Sequence, residues 1–268
     1  MKQKAPFTLI YEDEFIIAVD KASGISVGAD RWDDAKDRLD KILTACYTEK
    51  SVSRNLPPPR IFTVHRIDRE TSGLVVFARD RETHKRLSAA FETRQVTKQY
   101  LAVVHGRPSW TETSCDLPLV PDGDKRHRTI IDRYRGKKSQ TRFRLLLNAG
   151  NYSLVEAFPT TGRTHQIRVH LASLGHPVVN DPLYGSLKPV FLSSFKRGWR
   201  GDPLDEKPLL SRLGLHAAKL LLPDHGPDPA SPLLLEAPPP RDLGALIRQM
   251  ERNGHSRLLN NAQGIEAE

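Results

Sequence analysis

Gly73-Leu74-Val75-Val76-Phe77-Ala78 is an uninterrupted apolar run between the charged segments His65–Glu70 and Arg79–Arg81. It is far too short to cross a membrane and shows no alternation, so it reads as a strand buried on both faces, which demands cover on either side of its sheet. Arg81 to Thr93 then reads as a helix behind it, and Lys98 to His105, rich in Val, Leu and Tyr, as the next strand. Upstream, Phe7–Tyr11 and Phe15–Asp20 read as strands of a hairpin around the acidic turn Glu12–Glu14. Ala35, Leu39, Ile42, Leu43 and Cys46 fall at helical spacing, and the three prolines within Ser51–Arg60 make that stretch a loop.

Downstream, Arg128–Tyr134, Ser139–Leu147 and Tyr152–Phe158 are β-like and separated by Gly136 and Asn148-Ala149-Gly150, the pattern of an antiparallel meander. Ile167, Leu171 and Leu174 share one helical face over His165–Leu174, with Thr164 placed to cap the start and Gly175 the end. Seven prolines between Pro223 and Pro240 surround a strand at Leu233–Ala237, Leu243–Met250 reads as helical, and Asn253–Glu268 as a mobile polar tail. Short strands with few helices and no regular β-α alternation give an α+β class, with residues 1–252 as a single domain and 253–268 outside it.

The 268 residues can build a core without disulfides or metals, and Cys46 and Cys115 stand in no C-x-x-C or Cys/His cluster. A reducing, cytoplasmic setting fits, since neither a signal-peptide segment nor an apolar run near 18 residues is present. The 41 Lys and Arg against 32 Asp and Glu leave a net charge of +9, which favours a polyanionic partner. The excess concentrates in Asp122–Arg144, where Lys125, Arg126, Arg128, Arg133, Arg135, Lys137, Lys138, Arg142 and Arg144 face only Asp122, Asp124 and Asp132. Such a stripe is either a solvated surface or a phosphate-binding one.

Two segments carry the chemistry. In His65-Arg66-Ile67-Asp68-Arg69-Glu70-Thr71-Ser72-Gly73, cations crowd one carboxylate just before the buried strand. Neighbouring arginines keep Asp68 ionised, which suits a nucleophile or a structural ion pair rather than a general acid. In Thr160–His170, Arg163, His165, Gln166 and Arg168 sit at and just inside a helix N-terminus, where donors converge on an anion. His165 and His170 are about 140° apart on a helix, so no metal site is expected from them. No Walker loop, dinucleotide fingerprint or G-x-S-x-G elbow occurs.

HRIDRETSGLVVFAR, KQYLAVVHG (Lys98–Gly106), GKKSQT (Gly136–Thr141), TTGRTHQIRVHLASLGHPVVNDPLYG and LHA (Leu215–Ala217) occur in an order that resembles the RluA-type RNA pseudouridine synthases. The resemblance covers about Ile10 to Leu246. It implies the family's α+β fold, a single catalytic domain with a largely antiparallel mixed sheet and a central cleft. It implies a uridine in rRNA or tRNA as substrate, no cofactor, no membrane, no obligate protein partner and a monomer. Residue by residue, Asp68 matches the catalytic aspartate, Tyr100 the active-site tyrosine, and Arg168 the basic residue that pairs with the aspartate. Arg66 matches a position that enters the space left by a flipped base. Arg163, His165, Lys125, Arg126, Arg128, Lys137 and Lys138 would hold phosphates and the stem-loop.

Lys21-Ala22-Ser23-Gly24 stands where the family has Lys-Pro-x-Gly, and the small RNA-binding module of larger members is not expected ahead of the first recognised block. Target choice is therefore expected from the catalytic domain itself. Two other classes compete: an RNA-binding or RNA-remodelling protein without catalysis, which would have no need of Asp68, Tyr100 and Arg168 together, and a glycoside hydrolase, which lacks a second positioned carboxylate.

Overall fold

The computed structural model describes residues 5–29, 38–53, 60–223 and 232–256. In chain order the elements are β1 (Phe7–Glu12), β2 (Ile16–Lys21), α1 (Leu39–Ser53), β3 (Phe62–Thr63), β4 (Ser72–Ala78), α2 (Arg81–Glu92) and β5 (Thr97–His105). Then follow β6 (Glu112–Cys115), β7 (Leu119–Val120), β8 (Ile130–Ile131), β9 (Thr141–Ala149), β10 (Tyr152–Pro159), α3 (Gln166–Ser173), β11 (Leu215–Leu222), β12 (Leu233–Glu236), α4 (Arg241–Asn253) and β13 (His255–Ser256). They belong to two compact units interleaved along the sequence: Met1–Tyr100 with Phe158–His165 and Leu215–Pro239, and Leu101–Ala157 with Gln166–Gly214 and Pro240–Glu268.

In the first unit β1, β2, β4 and β11 lie side by side, with β3 on β4 and β12 on β11. β4 and β11 run parallel, while the β1/β2, β2/β4, β3/β4 and β11/β12 pairs are antiparallel. All seven residues of β4 are buried, and its apolar run is explained by what covers it. Leu74 and Val76 pack with Ile16, Ala18, and Leu87 and Ala90 of α2, whereas Val75 and Phe77 pack with Ile17, Val19, and Leu39 and Leu43 of α1. A strand sandwiched by two helices needs apolar side chains on both faces. Asp80 starts α2 by accepting the N–H groups of Glu82 and Thr83, both at 2.8 Å. Gly73 is required by the parallel pairing: at φ +115° a β-carbon there would lie 2.2 Å from the Ala217 carbonyl oxygen.

In the second unit β10 and β9 are neighbours in a sheet, and β6 and β13 each pair antiparallel with β9. Val103, Leu147, Leu154, Val179 and Leu210 form its core with Leu243, Leu246 and Met250 of α4. Arg212 ties α4 down through Asp242, with Nε to Oδ2 at 2.7 Å and Nη2 to Oδ1 at 2.8 Å. The class is thus α+β with mostly antiparallel strands, as expected.

Several boundaries differ from the sequence reading. α1 runs on through Ser53, into the stretch read as loop, and Ala35 and residues 54–59 lie outside the described residues. The first arm of the meander shrinks to Ile130–Ile131, paired with β7, because Asp132 turns the chain immediately afterwards. α3 begins at Gln166, one residue later than expected, and every residue from Gln166 to Leu171 is buried, so it has no polar face. Gly175, at φ +84°, ends it as expected, with His176 N–H reaching the Leu171 carbonyl at 2.9 Å. The polar tail begins differently too, since His255 and Ser256 pair with β9; residues 257–268, like 224–231 of the proline-rich segment, lie outside the described residues.

Candidate active site

The loop that carries Asp68 is fastened from both sides within the first unit. His65 enters it with Nε2 accepting the Val76 N–H at 3.0 Å and its ring stacked on Phe91 at 4.5 Å. Burial, helped by the nearby Lys98 ammonium, pushes the His65 pKa down to about 3, so the imidazole is neutral and free to accept. Ile67 is buried in the cluster of Val75 and Phe77, leaving Arg66 and Arg69 exposed and Asp68 half-buried between them. The Thr71 N–H closes the turn on the Asp68 carbonyl at 3.1 Å.

Lys21-Ala22-Ser23-Gly24, noted in the sequence for its missing proline, is the other half of this clamp. The Lys21 side chain is 0% exposed, and its ammonium donates to the carbonyls of Ala22 at 2.9 Å, Ile25 at 2.8 Å and Arg69 at 3.0 Å. Ser23 Oγ donates to the Glu70 carbonyl at 2.6 Å, and Gly24 N–H to that of Arg69 at 2.8 Å. These bonds fix the loop without the proline, so Ala22 does not loosen it. Behind the loop, the His216 ring faces the Ala237 carbonyl through Nε2 at 3.0 Å and Ser72 Oγ through Nδ1 at 3.0 Å. A carbonyl only accepts, so Nε2 carries the proton and Ser72 donates to Nδ1. The LHA motif thereby buttresses β4.

Tyr100, half-buried, packs against the cluster that contains Ile67. Burial first, and the charge of Asp68 second, raise its pKa above the usual tyrosine value, so the phenol keeps its proton. Asp68 and Tyr100, 32 positions apart in sequence, are therefore electrostatic neighbours. Arg66, on the same loop, reaches the Ala29 carbonyl at 3.5 Å. Arg163 and His165 are half-buried in the turn that precedes α3, where His165 holds a left-handed φ of +55°, a conformation that costs on the order of 1 kcal/mol outside glycine.

The second unit holds the other predicted residues. Arg168 was matched to a basic residue that pairs with Asp68; in its own unit its clamp is Asp181, which the sequence reading did not single out. The two form a two-pronged bond, Nε to Oδ2 at 2.7 Å and Nη2 to Oδ1 at 2.8 Å, at 1% and 0% exposure. Burial alone would raise the Asp181 pKa, but the hydrogen bond and charge of Arg168, with the N–H groups of Leu183 and Tyr184, hold it below the usual carboxylate value. The Tyr184 ring lies 5.3 Å from the guanidinium carbon. Asp181 and Tyr184 belong to the NDPLYG motif, which was the available signal.

Gln166 does not join an anion site: its Nε2 is spent on Gln140 O and Thr141 Oγ1, both at 2.9 Å. His170 is equally structural, held by Ser139, Thr141 and the Leu117 carbonyl. Burial lowers its pKa despite that carbonyl, and the GKKSQT motif is explained by this anchoring. The basic stripe divides in two. Arg128 is engaged internally, donating to Asp124 at 2.7 Å and to the Leu183 carbonyl at 3.1 Å, while Lys125, Arg126, Lys137 and Lys138 are exposed. Among the described residues no group of three His, Cys, Asp or Glu could hold a metal ion, and no helix is long and apolar enough to cross a membrane.

Comparison with known proteins names the class that this fold and loop define. The family description "RNA pseudouridylate synthase" matches residues 15–173. Ribosomal large subunit pseudouridine synthase D of Zymomonas mobilis is 33% identical over 219 residues, 81% of this chain and 65% of that protein. The same-named protein of Borreliella burgdorferi is 36% identical over 70% of this chain and 58% of its own length, so the chain spans under two thirds of both. Dual-specificity RNA pseudouridine synthase RluA of Salmonella typhi is 34% identical over 71% of this chain and 83% of that protein. In fold, the human RNA pseudouridylate synthase domain containing 4 superposes with a TM-score of 0.68 at 22% identity, over 91% of this chain and 92% of that one. The chain belongs to the RNA pseudouridylate synthase family.

Proposed function

We propose that this chain is an RNA pseudouridine synthase that isomerises chosen uridines in rRNA or tRNA stem-loops, without a cofactor, as a cytoplasmic monomer. The observation that carries the reading is the pairing of a half-buried Asp68, on a loop pinned by His65 and Lys21, with the protonated phenol of Tyr100. The names of the similar proteins support it.

Isomerisation breaks the bond from N1 of uracil to the sugar, turns the ring over, and joins carbon 5 to the same sugar carbon. Atoms are conserved, so neither an oxidant nor a group donor is needed. The Asp68 carboxylate supplies the anion that the separating sugar carbon, or carbon 6 of the ring, requires. The Tyr100 ring offers a face for the extruded uracil. At the end carbon 5 must lose its proton. A neutral phenol can take it only while passing its own proton on, and N1, left without one when the glycosidic bond broke, is where a proton must finally arrive, so the Asp68 carboxylate ends as it began. Arg66, exposed on the same loop, would fill the gap left in the RNA, and Arg163 and His165 would contact the phosphates. The resemblance assigns Arg168 to the same chemistry.

The test is to map pseudouridine in total RNA from cells with and without the gene. One or a few sites should vanish, and should return with the wild-type chain but not with Asp68→Asn. Identical maps in all four conditions would overturn the proposal.

A further inference from the structure

One feature of the basic stripe is not explained by charge. Tyr134 is 100% exposed, the most exposed of the large hydrophobic side chains among the described residues. A tyrosine with no packing is unusual, because its ring normally covers other apolar surface. Nor is Tyr134 on a loose tip. Asp132 Oδ1 accepts the N–H groups of Tyr134 and Arg135, both at 2.9 Å, its Oδ2 accepts Arg135 Nε at 2.8 Å, and its carbonyl accepts the Gly136 N–H at 2.9 Å. The Arg135 N–H first, then the Arg135 guanidinium and the Tyr134 N–H, hold the Asp132 carboxyl down at about 2.

The base of the turn is fastened as well. Leu119 and Lys137 exchange backbone hydrogen bonds at 2.9 and 3.0 Å, and the Asp132 N–H reaches the Pro118 carbonyl at 3.1 Å. A β-carbon at position 136 would stand 2.3 Å from the Asp132 carbonyl oxygen and 2.7 Å from Pro118 C, so only glycine allows so tight a return. The turn therefore fixes the backbone position from which one ring projects, among the exposed Arg133, Arg135, Lys137 and Lys138. Its single anion, Asp132, is consumed in shaping it.

An exposed aromatic face on a fastened turn among cations fits a polyanion that also has flat faces: a nucleic-acid strand with unstacked bases. A duplex offers the phosphates but keeps its bases stacked on one another. Resting on the RNA reading above, we propose that the turn Asp132–Lys138 docks an unpaired nucleotide of the substrate, Tyr134 stacking on its base while Arg133 and Lys137 meet the flanking phosphates.

The test compares a fluorescently labelled stem-loop with a blunt duplex of equal length, each titrated with the full chain over a range of salt. Tyr134→Ala should weaken stem-loop binding about tenfold, leave the salt slope unchanged, and leave duplex binding within about twofold. Tyr134→Phe should restore stem-loop binding to within about twofold. Lys137→Ala should lower the slope by about 0.7 to 0.9 on either RNA. Equal losses on both RNAs, an altered slope in Tyr134→Ala, or unchanged affinity for the stem-loop would each overturn the proposal. If Tyr134 proves necessary for loop binding but the chain makes no pseudouridine, the catalytic reading fails and the docking turn stands. If the chain modifies its RNA and Tyr134→Ala binds like wild type, the docking turn fails and the catalytic reading stands.

Discussion

Arg168 and Asp181 share a two-pronged ion pair that is 1% and 0% exposed, with a second acceptor role for Asp181 toward the Leu183 and Tyr184 N–H groups. Removing one charge from a buried pair leaves the other uncompensated, which costs about 3 to 5 kcal/mol. Asp181→Asn is therefore expected to lose about 3 kcal/mol or more of stability in urea at neutral pH. Because Asp181 titrates below its ordinary value in the fold, the stabilisation is complete above roughly pH 4 and is lost as pH falls toward the lower folded value. The gap between wild type and variant should close in acid. A neutral-pH gap under about 1 kcal/mol would contradict the clamp.

Arg168→Lys tests the same clamp from the other side. An ammonium has no planar fork to make two parallel bonds to Asp181 while facing the Tyr184 ring, so the chemical step should slow by more than about tenfold. Single-turnover rates, with a thermal melt to establish folding, decide it. A loss under about threefold would remove Arg168 from the chemistry.

The apolar run of β4 was legible because burial on two faces leaves a pattern in consecutive residues, and the hairpin of β1 and β2 because the acidic turn Glu12–Glu14 separates two β-like runs. Asp68 was legible as a carboxylate crowded by cations, whereas its neighbour Tyr100 came from the resemblance, since nothing in the spacing of two residues on different elements reports that they meet. Asp181 was missed for the same reason: an ion pair across 13 positions, between a helix and the loop after it, has no period. α3 was misread because a helix buried all round, with Gln166, Arg168 and His170 each satisfied internally, looks amphipathic in sequence. His65 looked like part of a catalytic cluster, yet its role is to accept the Val76 N–H.

That role gives a pH prediction. His65 is held neutral in the fold down to about pH 3, while in the unfolded chain it gains a proton near pH 6.5. The folded pKa is depressed, so stability present above about 6.5 falls as pH drops toward 3, by on the order of 1 kcal/mol per pH unit from this residue. His65→Gln, which keeps an acceptor and cannot titrate, should be less stable at pH 7 but show a shallower loss between pH 6.5 and 4. Parallel curves for the two proteins would show that His65 does not govern acid stability.

Gly73→Ala should destabilise the first unit by about 3 kcal/mol or more, because the added methyl meets the Ala217 backbone and φ is +115°. Urea denaturation measures the loss. A change under about 1 kcal/mol would mean that β4 and β11 can separate without cost, against the pairing His216 to Ser72 and Ala217 to Gly73.

The measurement closest to the chemistry is the single-turnover rate of pseudouridine formation by Asp68→Asn on the RNA identified by mapping, beside the affinity of the same variant for that RNA. Most binding energy comes from phosphate contacts, so affinity should stay within roughly tenfold of wild type while product formation falls below detection. An Asn variant that binds normally and still turns over at more than a few per cent of the wild-type rate would contradict the central role of the Asp68 carboxylate.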